Sequence, residues 1–308
     1  MMLLEVKNLA VTFCSRRSGW SRSTPLRQVE AVRSISFSVS RGETLSIVGE
    51  SGSGKSVTSL ALMGLLPSHA TVNAELLQLN GNSLLNLPEK KWQKIRGKAA
   101  AMIFQSPMQA LNPCHTISAQ LNESIAIHQP QLSSKERSEK AIELLNQVGI
   151  QDPQTKLKSY PHQLSGGMAQ RVMIAMALAS DPELLIADEP TTALDVITQN
   201  QILNLLLELK KKRNMAIILI THNLGVASQF SDRLAVMHEG KIVEAGNSQE
   251  IFQKPSHPYT QALLDSLPGQ EGQEFRSRLR VRDLGQKESF QLESTVNPAV
   301  QYALGGVT

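Results

Sequence analysis

Gly49-Glu50-Ser51-Gly52-Ser53-Gly54-Lys55-Ser56 is the stretch that decides the fold of this chain. It matches the pattern GxxxxGK[ST], in which a glycine-rich loop joins a strand to a helix. The apolar run Thr44–Val48 precedes it and a helical pattern over Val57–Leu66 follows it, as the pattern requires. The glycines let backbone N–H groups turn toward a phosphate, and the helix N-terminus adds a favourable dipole. All eight residues are therefore predicted to bind a nucleoside triphosphate.

Two side chains of this loop carry specific expectations. The ammonium group of Lys55 is expected to reach the β- and γ-phosphates and to take part in catalysis. The hydroxyl group of Ser56 is expected to be a ligand of Mg²⁺.

Apolar runs alternate with helical patterns along the chain, which favours an α/β domain with a largely parallel sheet. The predicted strands are Ser36–Val39, Thr44–Val48, Ala100–Phe104, Leu184–Ala187, Ala216–Ile220 and Leu234–Met237. Four of them are nearly continuous apolar runs, as expected of strands that are covered on both faces.

The segment between Asn112 and Ala179 has a helical pattern only, which predicts an all-helical insert. Within it, Ser133 stands three residues before Glu136, the spacing of a capping box, and Gly149 stands at the expected C-terminal cap. After about Pro268 the chain becomes polar and mixed in charge, and no structure is predicted for this tail.

Composition excludes several classes of protein. The formal net charge is +4, and the basic cluster Lys210–Arg213 stands at the end of a helical pattern, where it is expected to face water; we expect no nucleic-acid partner. Cys14 and Cys114 are far apart, which argues against a disulfide framework or structural zinc. The N-terminal run carries Glu5 and Lys7, so we expect no signal peptide, and the sequence lacks an apolar run long enough to cross a membrane.

A second motif pairs two carboxylates with the end of a strand. Asp188 and Glu189 follow the apolar run Leu184–Ala187, at the sheet edge where open α/β sheets bind ligands. Asp188 is predicted to help hold Mg²⁺, and Glu189 is predicted to be the general base that activates water. The alternative is a strand that simply ends in a charged turn.

A third motif, Leu164-Ser165-Gly166-Gly167-Met168, resembles the LSGGQ signature of the ATP-binding cassette (ABC) family, whose signature lies shortly before the carboxylate-ending strand. The resemblance implies a cassette with a parallel-sheet core, an antiparallel β subdomain and an inserted helical subdomain. It also implies that Ser165, Gly166 and Gly167 contact the γ-phosphate of ATP held by an opposite subunit.

Other residues acquire their expected roles from the same resemblance. Gln105 resembles the glutamine that senses Mg²⁺ or water, Ala193-Leu194-Asp195 resembles the loop that crosses the dimer interface, and His222 resembles the switch histidine that contacts the γ-phosphate. Phe13 is the candidate for stacking on adenine, although Trp20 is nearby and Phe13 could equally belong to the core.

Within the family, the sequence is similar to ATPases of oligopeptide and dipeptide importers. The similarity rests on Phe104-Gln105-Ser106-Pro107, Leu111-Asn112-Pro113, Tyr160-Pro161-His162-Gln163 and Ser256-His257-Pro258-Tyr259-Thr260-Gln261-Ala262-Leu263-Leu264. Met168, Ala169, Ser106 and Asn223 depart from the residues that are usual at these places. No cysteine follows Cys114, so we expect no iron–sulfur cluster of the kind that many of these ATPases carry.

The resemblance implies an ATPase that uses ATP and Mg²⁺ to drive uptake of di- or oligopeptides. Its expected partners are two membrane-spanning permease subunits, a second cassette (a related chain or a copy of itself) and, indirectly, a periplasmic or extracellular solute-binding protein. The expected location is the cytoplasmic face of the inner membrane. The expected domains are an ATP-binding domain over residues 1–252, with the helical insert at about 112–180, and a C-terminal extension over 253–308. Nickel or glutathione as cargo, and a soluble cassette ATPase without a transport role, are the alternatives.

Overall fold

The computed structural model describes residues 2–15, 27–192 and 194–266. Ala193, Trp20 and the polar tail lie outside the described residues.

An antiparallel sheet forms the first layer. Its strands are β1 (Met2–Ser15), β2 (Arg27–Ser40), β4 (Ala70–Asn73), β5 (Leu76–Leu79) and β6 (Asn82–Ser83). The order is β2-β1-β5-β6, and β4 also pairs with β1. The predicted strand Ser36–Val39 is only the end of β2, and the other strands of this sheet were not predicted individually.

Bulges explain why the longest of these strands is hard to recognise. The pairing of β1 with β2 shifts register between Val6 and Leu9, where Asn8 and Ser34 both have positive φ angles. The Asn8 side chain binds Ser34, Ser36 and Glu75 there. Each bulge reverses the alternation of buried and exposed side chains that identifies a strand in a sequence.

A mostly parallel sheet forms the second layer. Its strands are β3 (Thr44–Val48), β7 (Ala100–Ile103), β8 (Leu184–Asp188), β9 (Ala216–Thr221), β10 (Arg233–His238) and β11 (Lys241–Asn247), in the order β11-β10-β3-β9-β8-β7. Five of these match predicted strands within one residue at each end; β11, the antiparallel edge strand, was missed. Every residue of β3, β7, β8 and β9 is buried, as their continuous apolar runs predict.

Helices cover the sheets and fill the segment between β7 and β8. They are α1 (Lys55–Leu62), α2 (Glu89–Ile95), α3 (Pro107–Ala110), α4 (Ile117–His128), α5 (Ser134–Gln147), α6 (Pro153–Lys156), α7 (Gly166–Ala177), α8 (Val196–Arg213), α9 (Leu224–Phe230), α10 (Ser248–Gln253) and α11 (Pro258–Asp265). A 3₁₀ turn spans Pro161–Gln163. In the described part of the chain, no helix has both the length and the apolar character needed to span a bilayer.

The end of α1 differs from the prediction of a helix over Val57–Leu66. The helix stops at Leu62 because Gly64 has a positive φ angle of 60° and begins a terminating turn. A β-carbon at Gly64 would lie 2.3 Å from the ring of Trp92, so the glycine also allows α2 to pack closely.

Two large apolar clusters lie on opposite faces of the parallel sheet. One joins this sheet to α4, α5, α7 and α8, with Ile103, Leu121, Leu145 and Ile202 fully buried. The other joins it to the antiparallel sheet and α1, with Leu9, Val32 and Ile218 fully buried. The parallel sheet is thus the shared middle layer. The apolar layers cover its two faces and leave the ends of its strands uncovered.

The basic end of α8 is only partly as expected. Lys211 and Lys212 are exposed, but the Lys210 side chain is only 11% exposed and lies 2.7 Å from Asp232. Arg213 is likewise largely covered and pairs with Asp181 while donating to the carbonyl oxygen of Leu178. The expectation that the whole cluster faces water was therefore wrong, because these two side chains bridge α8 to neighbouring loops.

The predicted capping box of α5 is confirmed in both halves. Ser133 Oγ accepts from the Glu136 N–H at 3.3 Å, and Glu136 Oε2 accepts from the Ser133 N–H at 2.7 Å. At the other end, Gly149 has a φ angle of 72° and donates to the carbonyl oxygen of Asn146. Residue choice alone specifies both ends of this helix.

We expect Ser133→Ala to lower the free energy of unfolding by about 1 kcal/mol, because it leaves an N-terminal N–H of α5 without its acceptor. Urea unfolding of the two proteins measures the difference. Ser138→Ala, at a half-buried position inside the same helix where the hydroxyl group donates to the carbonyl oxygen of Ser134, is the matched control and should change stability by less than about 0.5 kcal/mol. Equal losses in both variants would contradict a specific capping role.

Candidate functional site

Four neighbouring strands end at one edge of the parallel sheet, and each leads into a residue of interest. In sheet order, β3 leads into the loop Gly49–Ser56, β9 into His222, β8 into Asp188 and Glu189, and β7 into Gln105. These strands run parallel, so their carboxyl ends lie together, and the edge collects groups that are far apart in the sequence.

The loop after β3 can be built only with glycine at two positions. Gly49 has a φ angle of 154°, and a β-carbon there would lie 2.0 Å from the carbonyl oxygen of Met237. Gly54 has a φ angle of 103°, and its β-carbon would lie 2.5 Å from the carbonyl oxygen of Ala31. The Gly240 N–H also donates to the carbonyl oxygen of Ser53 at 2.9 Å. The loop is therefore held closely by β2 and by the turn after β10.

The side chain of Lys55 lies back over this loop. Its Nζ donates to the carbonyl oxygens of Gly49 at 2.8 Å and Glu50 at 2.7 Å. Burial lowers the pKa of Lys55, although the nearby carboxylates of Glu189, Asp188 and Glu50 oppose that effect. Gly54, at the start of α1, supplies no side-chain cap. A buried cation and the N-terminus of a helix make this a favourable place for an anion.

Asp188 faces the start of α1. Its Oδ1 accepts from Ser56 Oγ at 3.1 Å, and its Oδ2 accepts from Ser59 Oγ at 3.4 Å. Burial raises the pKa of Asp188, and the negative charge of Glu189 adds to this, against the lowering effect of the two hydroxyl groups and Lys55. The ionised carboxylate is thus costly here unless a cation compensates it.

The neighbouring Glu189 has a different set of partners. Its carboxylate accepts from Gln105 Nε2 at 2.8 Å and Thr192 Oγ1 at 2.9 Å, and it lies 3.1 Å from His222 Nδ1. Partial burial alone would raise the pKa of Glu189, but the hydrogen bonds from His222 and Thr192 and the charges of His222 and Lys55 bring the pKa below its ordinary value. Glu189 is therefore ionised at neutral pH and remains 16% exposed, so solvent can reach it.

Ser165, Gly166, Gly167 and Asp195 form a second group at the starts of α7 and α8. Ser165 Oγ accepts from the Met168 N–H, and Asp195 accepts from both the N–H and the hydroxyl group of Thr198. A β-carbon at Gly167 would lie 2.8 Å from Thr198 Cγ2. Ser165 therefore caps α7 and Asp195 caps α8. The turn at Ser165 is exposed, and Gly167 lets α8 pack closely against it.

Phe13 lies on β1 of the antiparallel sheet and not at the strand ends of the parallel sheet. It is half-buried, and its ring centroid is 5.8 Å from that of His69. It also packs against the apolar cluster between the two sheets.

Sequence reasoning missed three side chains of these groups. Ser59, Thr192 and Thr198 hold Asp188, Glu189 and Asp195, respectively. Spacing could have identified all three, because each is a hydroxyl residue three positions after Ser56, Glu189 or Asp195. In a helix or tight turn, residues three apart share a face.

Comparison with known proteins shows which protein families this chain resembles. The profile of the family described as ABC transporter matches residues 32–192, and that of the oligopeptide/dipeptide transporter C-terminal region matches residues 243–285. The dipeptide transport ATP-binding protein of Escherichia coli K12 is 54% identical over 87% of this chain and 79% of its own length. The oligopeptide transport ATP-binding protein of Bacillus subtilis 168 is 50% identical over 86% of this chain and 72% of its own length.

Solved structures show the same architecture. A dimeric ATP-binding cassette in a post-hydrolysis state, bound to ADP and Pi, superposes with a TM-score of 0.66 at 28% identity. The match covers 80% of this chain and 99% of that one.

We expect Asp188→Asn to raise the free energy of unfolding of the nucleotide-free chain by about 1 kcal/mol at neutral pH, because it removes a buried charge. The folded-state pKa of Asp188 is raised. The cost of the charge is therefore absent below the unfolded pKa of about 4 and reaches its full size above the folded pKa. The gain should accordingly shrink as the pH falls toward 4, in thermal unfolding across a pH series.

Asp265→Asn is the control for this experiment, since Asp265 is exposed on α11. A destabilised Asp188→Asn variant at neutral pH, or a gain that does not depend on pH, would show that the buried charge is not the cause.

Proposed function

This chain belongs to the ABC transporter family of ATP-binding proteins, and we propose that its ATPase activity powers uptake of di- or oligopeptides through separate membrane subunits. Its C-terminal segment matches the oligopeptide/dipeptide transporter profile, and relatives named for dipeptide or oligopeptide transport are about half identical to it. The assignment of peptides as the cargo rests on these matches. An ATPase of this kind need not touch the solute, so its own site gives no information about which solute is transported.

The proposed hydrolytic site lies at the carboxyl ends of the parallel strands, where Glu189 follows β8. Lys55 and the N–H groups of the loop 49–56 bind the phosphates of ATP, and Lys55 exchanges its bonds to the Gly49 and Glu50 carbonyl oxygens for bonds to phosphate. Glu189 is ionised and reachable by solvent, so it can accept a proton from the attacking water. Gln105, Thr192 and His222 orient its carboxylate.

Mg²⁺ fits the oxygen atoms around Asp188. Hard divalent cations prefer hydroxyl and carboxylate oxygens together with substrate phosphates, and Ser56 Oγ lies 3.1 Å from Asp188 Oδ1. We propose that Ser56 and Asp188 hold the ion, with Gln105 close to it. When bound, Mg²⁺ neutralises negative charge on the β- and γ-phosphates. A cation would also compensate the negative charge of Asp188, a carboxyl group whose burial raises its pKa.

A second cassette completes the proposed site. Ser165, Gly166 and Gly167 form an exposed helix N-terminus suited to the γ-phosphate of ATP bound by a partner cassette, and Asp195 lies on the same side at the start of α8. The related post-hydrolysis cassette is dimeric. We propose that two cassettes close around ATP and separate once the γ-phosphate is lost, and that the partner is a related chain.

The remaining parts of the proposal concern the ends of the chain and its surroundings. The ATP-binding domain spans residues 1–252, and the C-terminal extension spans residues 253–308. In the ATP-binding domain, the ring of Phe13 stacks on adenine. Two permease subunits receive the motion at the cytoplasmic face of the inner membrane, and a solute-binding protein delivers the peptide from outside.

We expect Glu189→Gln to retain ATP binding while its hydrolysis falls by a factor of about 10² to 10⁴, the usual contribution of a general base. Lys55→Ala should instead lose ATP binding itself. Equilibrium ATP binding and phosphate release, measured on the assembled transporter, separate the two effects. Glu143→Gln, on an exposed face of α5, is the matched control. Normal turnover in Glu189→Gln would overturn the assignment of the base.

Uptake by cells tests the cargo. In cells that carry Glu189→Gln in place of the wild-type chain, uptake of labelled di- and oligopeptides should collapse, while uptake of nickel and glutathione should be unchanged. Loss of nickel or glutathione uptake with intact peptide uptake would show a different cargo for the same ATPase. No change in any uptake would contradict the importer assignment.

A further inference from the structure

The side chain of Tyr259 connects the C-terminal segment to the phosphate-binding loop. Its hydroxyl oxygen lies 3.2 Å from the backbone nitrogen of Glu50 and accepts the hydrogen bond from that N–H. Tyr259 lies in the first turn of α11, about 200 residues further along the chain, within the segment that matches the oligopeptide/dipeptide transporter C-terminal profile.

This contact acts on the same peptide group that Lys55 holds. The N–H of Glu50 and the carbonyl group of Gly49 belong to one planar peptide unit. Lys55 Nζ binds its carbonyl oxygen at 2.8 Å, and the Tyr259 hydroxyl group binds its N–H. Once Lys55 moves to the phosphates, the Tyr259 bond still holds this peptide plane at the entrance of the loop.

Tyr259 is itself positioned from two directions. Its ring stacks on His238 at the end of β10, with centroids 3.9 Å apart. At the N-cap of α11, His257 Nδ1 accepts from the Tyr259 N–H at 3.1 Å, and Pro258 occupies the first helical position, where its missing N–H costs nothing. Glu244 of β11 accepts from the N–H groups of Ser256 and His257. The hydroxyl group is thus presented to the loop by a rigid support.

The His-Pro-Tyr sequence therefore does more than form a turn that begins a helix. His257 caps α11, Pro258 starts it, and Tyr259 reaches the loop. We propose that Tyr259 is a positioning residue for ATP binding: its hydroxyl group fixes the Gly49–Glu50 peptide, so that the C-terminal segment sets the affinity of the phosphate loop for nucleotide. The proposal rests on the assignment of the loop 49–56 as the site of the ATP phosphates.

Tyr259→Phe is the most direct test, because it removes the hydroxyl group and keeps the ring that stacks on His238. We expect the Kd for ATP and the KM of the assembled transporter to rise about threefold to tenfold, the range for one lost hydrogen bond, while kcat changes by less than twofold. Equilibrium binding of ATP to the full-length chain and steady-state phosphate release measure the two.

Ser266→Ala is the matched control. It removes a hydroxyl group from the end of the same helix, where Ser266 Oγ donates to the carbonyl oxygen of Leu263 in that helix. It should leave Kd, KM and kcat at wild-type values. A purely structural role of α11 predicts another pattern: both variants would lower the thermal unfolding temperature, and ATP affinity would be unchanged.

Lys55→Ala, tested in parallel, separates this inference from the assignment beneath it. If Lys55→Ala abolishes ATP binding while Tyr259→Phe binds ATP like the wild type, the role of Tyr259 is refuted and the phosphate site stands. If Lys55→Ala binds ATP normally, the phosphate site itself is wrong. A fall in kcat at unchanged KM in Tyr259→Phe would also overturn the proposal, because it would place the effect in the chemical step.

Discussion

The parallel hydrogen bonding of β3, β9, β8 and β7 is the constraint on which the rest of the structure depends. These strands lie side by side in one sheet, from β3 near its middle to β7 at its edge, and every residue in them is buried. Parallel strands need crossovers, so the helices are forced onto the faces and the strand ends remain as the accessible edge. The loop 49–56 and the residues that follow the other three strands meet there for this reason alone.

The same edge concentrates charge that the fold must tolerate. Lys55 and Asp188 are both buried, and burial shifts the pKa of each toward its neutral form. Each is held by oxygen or hydroxyl partners that a nucleotide and its cation can replace or join. The site is thus organised around groups whose charges a bound anion or cation would compensate, a common arrangement at functional sites. Glu189 differs because His222 and Thr192 stabilise its ionised form.

The loop is supported from outside its own strand and helix. The Met237 carbonyl oxygen lies against Gly49, the Gly240 N–H binds the Ser53 carbonyl oxygen, and Tyr259 binds the Glu50 N–H. All three supports come from β10, the turn after it, or the C-terminal helix stacked on it. The segment that matches the oligopeptide/dipeptide transporter profile is therefore in direct contact with the glycine-rich loop 49–56, which is the contact on which the proposed role of Tyr259 rests.

The sequence by itself determined the parallel core, the glycine-rich loop 49–56 and the position of the pair Asp188–Glu189 at the end of a strand, because short motifs and continuous apolar runs encode them locally. It also specified both ends of α5 through Ser133, Glu136 and Gly149. Only the tertiary structure decided what depends on long-range pairing or packing. The bulges at Asn8 and Ser34 made two strands hard to recognise in the sequence, and the close approach of Gly64 to Trp92 accompanies the early end of α1. Lys210 and Arg213 are largely covered because they form ion pairs with Asp232 and Asp181. The bond between Tyr259 and Glu50 belongs to this group, since no local pattern relates residues so distant in the chain.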